Sequence, residues 1–241
     1  MTFYFSLSYY NLKMLFRKIF NRFFHKEELS LKHVFGLFSF IFVIWAVYRY
    51  FPGILPTWVE EMILKPIVWL VPTFFIVNQV ERQPLSSLGW TTKNLVHSFY
   101  WGIGLGAVFV LEGIVTNLLK YSGLNFGSFQ VSPQSFFTAL FLSFATAISE
   151  ETVFRGYIFS RLWRIWKREW QANIISSLLF SLIHLPVAVF VLGFTPAVMF
   201  IYLFLIFGYG VGSGFVFART GNIASCILLH VFWSWPVILF K

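Results

Sequence analysis

The sequence lacks aspartate and is poor in cysteine and in charge. All nine acidic residues are glutamate, and the 241 residues include a single cysteine, Cys226. The first absence excludes aspartyl dyads, Ser-His-Asp triads and aspartate-rich cation sites. The second excludes an internal disulfide and a thiolate zinc cage. Only 11% of the residues are charged and 58% are hydrophobic, which is typical of an integral membrane protein and not of a soluble domain.

Apolar residues occur in runs that suit membrane-spanning helices, which need roughly 20 residues each. We therefore predict an all-α, polytopic transmembrane helical bundle of about seven spans. Before the first span, apolar and basic residues alternate at helical spacing, which predicts an amino-terminal amphipathic helix on anionic lipid. The predicted spans are 34–48, 62–77, 95–118, 136–154, 172–192, 196–217 and 222–240.

Positive charge is unevenly distributed between the segments that connect these spans. The formal net charge is +9, and 14 of the 18 Lys and Arg residues fall in one alternating set of segments. By the positive-inside rule the amino terminus is cytoplasmic and the carboxyl terminus outside. Membrane topology explains the charge better than nucleic acid does, so we expect a multi-pass protein of a bacterial cell membrane, in contact with lipids and not with nucleic acid. The 14 residues are Lys13, Arg17, Lys18, Arg22, Lys26, Lys32, Arg82, Lys93, Arg155, Arg161, Arg164, Lys167, Arg168 and Arg219.

Ionisable side chains inside the predicted spans are candidates for function, because each is costly in lipid. Glu150, Glu151, His184 and His230 come from the fourth, fifth and seventh spans. Glu151 and Arg155 are one helical turn apart and can pair, which leaves Glu150 free to act as a base. With a cytoplasmic turn at Arg155, Glu150 is expected about 8 Å inside the membrane at 1.5 Å per residue.

A carboxylate and an imidazole on either side of a water molecule can deprotonate it for attack on an amide. The tetrahedral oxyanion that forms needs hydrogen-bond donors. His230 and Ser234 are one turn apart and present two donors on one helix face. These residue types predict peptide hydrolysis by Glu/His-activated water.

Three segments resemble the Abi or CPBP family, the type II CAAX prenyl endopeptidases. Residues 149–156, SEETVFRG, look like its EExxxR signature, residues 180–184 match its FxxxH motif, and residues 219–223 lead to His230 as in its last motif. The resemblance implies that Glu150 and His184 activate water and that Glu151 and Arg155 support the site. It also implies that His230 and the residue four positions later form the oxyanion hole; that residue is Ser234, where the family has Asn.

We expect three regions: a basic amphipathic segment (1–33), the first three spans (34–134) and, where the resemblance lies, a protease-like core (135–241). The expected activity is that of a membrane-embedded endopeptidase which cuts a peptide or protein, lipidated or not, near the cytoplasmic face. Two alternatives stay open. One is a non-catalytic scaffold or bacteriocin self-immunity protein. The other is a zinc-dependent peptidase with Glu150, His184 and His230 as ligands; we favour a mechanism without a metal or other cofactor, since the sequence has no HExxH motif.

Glycines recur at every second position in the sixth span. Gly212-Ser213-Gly214 is similar to the nucleophile motif of rhomboid proteases, but the glycine required two residues before the serine is Val211. The series Gly208, Gly210, Gly212 and Gly214 therefore predicts close helix packing and not a serine nucleophile.

Overall fold

The computed structural model describes residues 31–51, 53–123, 125 and 133–239. The predicted amphipathic helix lies almost entirely outside these residues. In the described part of the chain the elements are α1 (Leu31–Tyr50), α2 (Thr57–Val80), α3 (Leu95–Tyr121), α4 (Pro133–Glu151, continuing as a π-helix over Thr152–Phe159 and as an α-helix over Ser160–Trp166), α5 (Glu169–Val191), α6 (Pro196–Thr220) and α7 (Ile223–Leu239).

The bundle has the character of a multi-pass membrane protein. Among the described residues, six helices are long and apolar enough to cross a bilayer, and residues 223–234 of α7 form a shorter apolar helix. Many large apolar side chains lie on the outside, as Tyr100 and Phe200 do, because lipid and not water is their solvent. The predicted all-helical bundle of about seven spans is confirmed.

Helix α4 is longer than the predicted fourth span. The expected turn at Arg155 does not exist: the chain continues as a π-helix over Thr152–Phe159 and reaches Trp166, and every residue from Thr152 to Phe159 is buried. The 8 Å depth expected for Glu150 was therefore wrong. Along α4 it lies 16 residues from Trp166, or about 24 Å.

Nine of the 14 basic residues assigned to the cytoplasmic segments lie in the described part of the chain, and two of these nine are buried inside the bundle. Arg155 pairs with Glu151, while Arg161 donates to Glu81 at 2.7 and 2.9 Å and to the Ser87 carbonyl at 2.9 Å. These two arginines hold helices and loops together, and they contribute nothing to an exposed positive charge.

The loop before α3 is tied to the turn between α6 and α7. Gly221 adopts a left-handed conformation (φ +62°) that ends α6. Asn222 then caps α7 by accepting from Ala224 N at 2.9 Å, and its amide donates to the carbonyls of Thr91 and Lys93. Residues 219–223, noted above for their resemblance to the family motif, thus fix where α7 starts and where His230 stands.

Glycine allows close contact at some of the expected positions. A side chain at Gly210 would meet Ser177 at 2.9 Å, and one at Gly214 would collide with Asn173, whereas nothing lies within 4 Å at Gly208 and Gly212. The packing interpretation is confirmed for two of the four glycines, at the contact between α5 and α6.

Candidate active site

The carboxylate of Glu150 lies between α2, α5 and α7 and is buried. One oxygen, Oε1, accepts a hydrogen bond from Lys65 Nζ at 3.0 Å. The other, Oε2, lies 3.9 Å from His184 Nε2 and 3.9 Å from His230 Nε2. The structure therefore brings together three of the side chains that the sequence singled out, from three different helices.

A local break in α5 positions the ring of His184. The backbone N–H of His184 bonds to the Ser181 carbonyl instead of the Phe180 carbonyl, which a regular α-helix would use. The Phe180 carbonyl lies 2.8 Å from the Nδ1 atom of His184 itself. Because a carbonyl only accepts, Nδ1 carries the proton. Nε2 then faces Glu150, and in the neutral form of the ring it is the unprotonated nitrogen.

Glu151 is the centre of a second, closed cluster. Its oxygens accept from Arg155 Nη1 at 3.2 Å, from the Tyr209 hydroxyl at 2.9 Å and from Ser213 Oγ at 2.8 Å, and His230 Nδ1 lies 2.8 Å from Oε1. The side chain is fully buried. Such an array of donors around one carboxylate offsets its desolvation.

The contact with Glu151 also fixes the orientation of the His230 ring. A carboxylate that already accepts from three other groups is an acceptor towards His230, so Nδ1 carries the proton. Both imidazoles thus use Nδ1 for support and turn Nε2 towards the same oxygen of Glu150. Support for a ring through its second nitrogen is how proteins orient functional histidines.

Aromatic rings pack around these polar groups. The Phe180 ring lies 4.9 Å from the His184 ring, and the Arg155 guanidinium stacks 4.2 Å above the Phe180 ring. Tyr209 packs 5.2 Å from the His230 ring. Apolar neighbours of this kind lower the local dielectric, which strengthens electrostatic interactions within the site.

Ser234, the other predicted oxyanion donor, forms a hydrogen bond within its own helix. Its hydroxyl donates to the Val231 carbonyl at 3.2 Å, within α7. A change of rotamer is required before this hydroxyl can donate to a group beside His230.

The expectation that Glu150 is free was wrong, because Lys65 pairs with it. Lys65 also contacts Glu61 Oε2 at 2.5 Å. Sequence reasoning missed both residues: it began the second span at position 62, so Glu61 fell outside it, and it left Lys65 among the four basic residues not assigned to the cytoplasmic segments. The i, i+4 spacing of Glu61 and Lys65 at the start of an apolar run was the available signal.

Tyr209 and Ser213 were also missed as supports of Glu151. They lie one turn apart on α6, where Ser213 was considered only as a nucleophile. Its hydrogen bond to Glu151 gives it a supporting position instead. No sequence signal pointed to Tyr209, since a tyrosine in an apolar helix is ordinary.

The donor set does not fit the zinc alternative well. Within the described residues, no group of three His, Cys or Glu side chains is arranged to hold a metal ion. Glu150, His184 and His230 converge, but the Lys65 ammonium already occupies Glu150 Oε1. A divalent cation at Oε2 would lie close to that positive charge.

Fold and site together define a helical membrane protein in which a buried carboxylate and two imidazoles converge. Residues 132–236 match the family model of the type II CAAX prenyl endopeptidase Rce1-like proteins. This segment contains α4 to most of α7, and its resemblance to the Abi/CPBP family is confirmed. No curated protein and no solved structure matches the chain significantly.

Proposed function

We propose that the protein is an intramembrane endopeptidase in which Glu150 and His184 activate the attacking water. The observation that carries the proposal is the convergence of Glu150 Oε2 with both imidazole Nε2 atoms, each at 3.9 Å. The match of residues 132–236 to a CAAX endopeptidase family supports it. The residues of this site come from helices, which hold groups more firmly than loops do.

The spacing suits a water molecule between the carboxylate and His184. At 3.9 Å the two groups are too far apart for a direct hydrogen bond, while a water can donate one hydrogen to Glu150 Oε2 and the other to His184 Nε2. Its lone pairs then point to the substrate carbonyl carbon. As the C–O bond forms, one water proton passes to Glu150 and the carbonyl oxygen takes the negative charge.

Collapse of the tetrahedral intermediate completes the hydrolysis. The C–N bond breaks as Glu150 returns its proton to the departing amine, and the water oxygen remains in the new carboxyl group. Glu150 is thereby regenerated as a carboxylate. No covalent enzyme intermediate is needed.

His230 is placed to stabilise the oxyanion when both of its nitrogens carry protons. Nδ1 already bonds to Glu151 at 2.8 Å, which leaves Nε2 to face the reacting groups. Nε2–H can then donate to the oxyanion. Ser234 supplies a second donor if its hydroxyl turns away from Val231.

We place the scissile bond in the half of the membrane next to the end of the bundle that carries the turn at Gly221. Along α7, His230 is seven residues from Ile223, or about 10 Å. The surplus of Lys and Arg assigns this end to the cytoplasm. The substrate is a peptide or protein, lipidated or not, that lies in or against the membrane.

Labelling of single cysteines tests the orientation. In a Cys226→Ala background, Arg219→Cys introduces a thiol at an exposed position beside the turn, and this thiol is expected to react with an impermeant reagent only after cells are opened. Reaction from outside would show that both the topology and the cytoplasmic position of the site are wrong.

A non-catalytic scaffold or immunity protein is the second candidate. The specific observation in its favour is the Ser234 hydroxyl, which bonds to its own helix and is shorter than the amide that the family has there. In this case Glu150 and the histidines would serve only to hold helices together.

Cleavage assays separate the two candidates. The probes are two quenched-fluorescent peptides of the same sequence, with and without a farnesyl group on a cysteine three residues from the carboxyl terminus. The peptidase predicts cleavage of at least one probe and a loss of about 10³-fold in Glu150→Gln and His184→Ala. Glu60→Gln is the matched control, because Glu60 is also buried in the bundle but bonds to Arg49 and Tyr48. Wild-type rates in the Glu150 and His184 variants, or no cleavage by the wild-type protein, would contradict the proposal.

A further inference from the structure

Lys65 lies outside the segment that matches the family, yet it contacts the proposed catalytic carboxylate. It is in α2, its side chain is 5% exposed, and Nζ donates to Glu150 Oε1 at 3.0 Å. Of the described lysines and arginines, Lys65 alone forms an ion pair with Glu150. The counter-charge of Glu150 therefore comes from the amino-terminal part of the chain.

Lys65 is itself held on several sides. Its ammonium contacts Glu61 Oε2 at 2.5 Å, and Glu61 Oε2 also accepts from the Thr146 hydroxyl on α4 at 2.5 Å. The rings of Trp45 and Trp69 lie 5.5 and 5.7 Å from Nζ. Two carboxylates and two indole faces leave the ammonium little freedom to move.

This arrangement determines which oxygen of Glu150 meets the histidines. A carboxylate beside two imidazoles can rotate, but an ammonium fixed at Oε1 turns Oε2 towards both Nε2 atoms. We infer that Lys65 is a positioning residue, which orients Glu150 and balances its charge through the chain Glu61, Lys65, Glu150. The inference rests on the proposed function for its role in catalysis, and the ion pair itself can be tested without it.

A double-mutant cycle on thermal stability tests the pair. Lys65→Met keeps an unbranched side chain that is one atom shorter and removes its charge, which leaves Glu150 buried without a cation. The apparent melting temperature in detergent is expected to fall by about 6 °C or more in the wild-type background. In the Glu150→Gln background the same substitution should cost less, because only Glu61 is then left without its cation. Equal losses in the two backgrounds would overturn the pairing.

Steady-state kinetics with the cleaved probe test the positioning role. Lys65→Met is expected to lower kcat by about 10- to 100-fold with KM nearly unchanged, because misorientation of Glu150 affects the chemical step. Lys65→Arg, which keeps the positive charge, should recover at least tenfold of the loss. Glu60→Gln, a neighbouring charge change that does not contact Glu150, should stay within twofold of the wild-type rate.

The outcomes separate the inference from the proposed function. A folded Lys65→Met protein with unchanged kcat, or an equal loss in Lys65→Arg, would overturn the positioning role. A wild-type protein that cleaves neither probe would contradict the proposed function, and the stability cycle would still decide the ion pair.

Discussion

The two neighbouring glutamates of α4 stand in different regions of the site. Glu151 is enclosed by donors from α4, α6 and α7, the longest contact being 3.2 Å. Glu150 has one short contact, to Lys65, and its second oxygen faces two imidazoles across 3.9 Å. A carboxylate whose oxygens are all engaged is suited to support, whereas one with an open side can bind and deprotonate water.

The largest expected effect comes from neutralising Glu151, the centre of the closed cluster. Glu151→Gln removes the charge that balances Arg155 and orients His230, so the free energy of unfolding should fall by about 3 kcal/mol. Glu150→Gln should cost about 1 kcal/mol or less, because Lys65 keeps Glu61 as a partner. Denaturation of the two purified variants under the same conditions measures the difference. A larger loss in Glu150→Gln than in Glu151→Gln would reverse the comparison.

A smaller effect is expected from an added donor on the open side. Ser234→Asn introduces the amide that the Abi/CPBP family has at this position. An amide reaches further than a hydroxyl. We expect kcat to rise by up to about tenfold, as a second donor stabilises the oxyanion. Ser234→Ala gives the reference for a side chain with no donor. A decrease in kcat for Ser234→Asn would indicate that the oxyanion does not lie beside α7.

The smallest expected effect is that of a chelator on the open side. Because Lys65 already supplies the positive charge next to Glu150, cleavage should be unchanged after dialysis against a chelator. Elemental analysis of the purified protein is the companion measurement. Stoichiometric zinc that is lost together with activity would show that the open side holds a metal.

The sequence predicted the helices and the family well, because apolar runs and short motifs are local. The convergence of Glu150, His184 and His230 was also predictable, since ionisable groups in membrane-spanning helices face the interior of the bundle and pair with one another. Two features of the structure could not be predicted from the sequence. The π-helix after Glu151 carries Arg155 into the core, and nothing local in residues 152–159 distinguishes it from an α-helix.

The second unpredicted feature is the contact between Lys65 and Glu150, which are 85 residues apart. Their pairing depends on how α2 packs against α4, and hydropathy alone does not determine that packing. The positive-inside count treated Lys65 as one charge among 18, although its burial makes it part of the site. Long-range ion pairs of this kind are determined by tertiary packing and not by local sequence.

Hydrolysis in water enriched in ¹⁸O tests the central claim most directly. The probe that the protein cleaves is incubated with wild-type and Glu150→Gln protein, and the new carboxyl terminus is examined by mass spectrometry. The account predicts one ¹⁸O atom per product molecule with the wild-type protein and a product yield about 10³-fold lower with Glu150→Gln. Labelled product formed at the same rate by Glu150→Gln would contradict it, because water activation would then not depend on the carboxylate that the two imidazoles face.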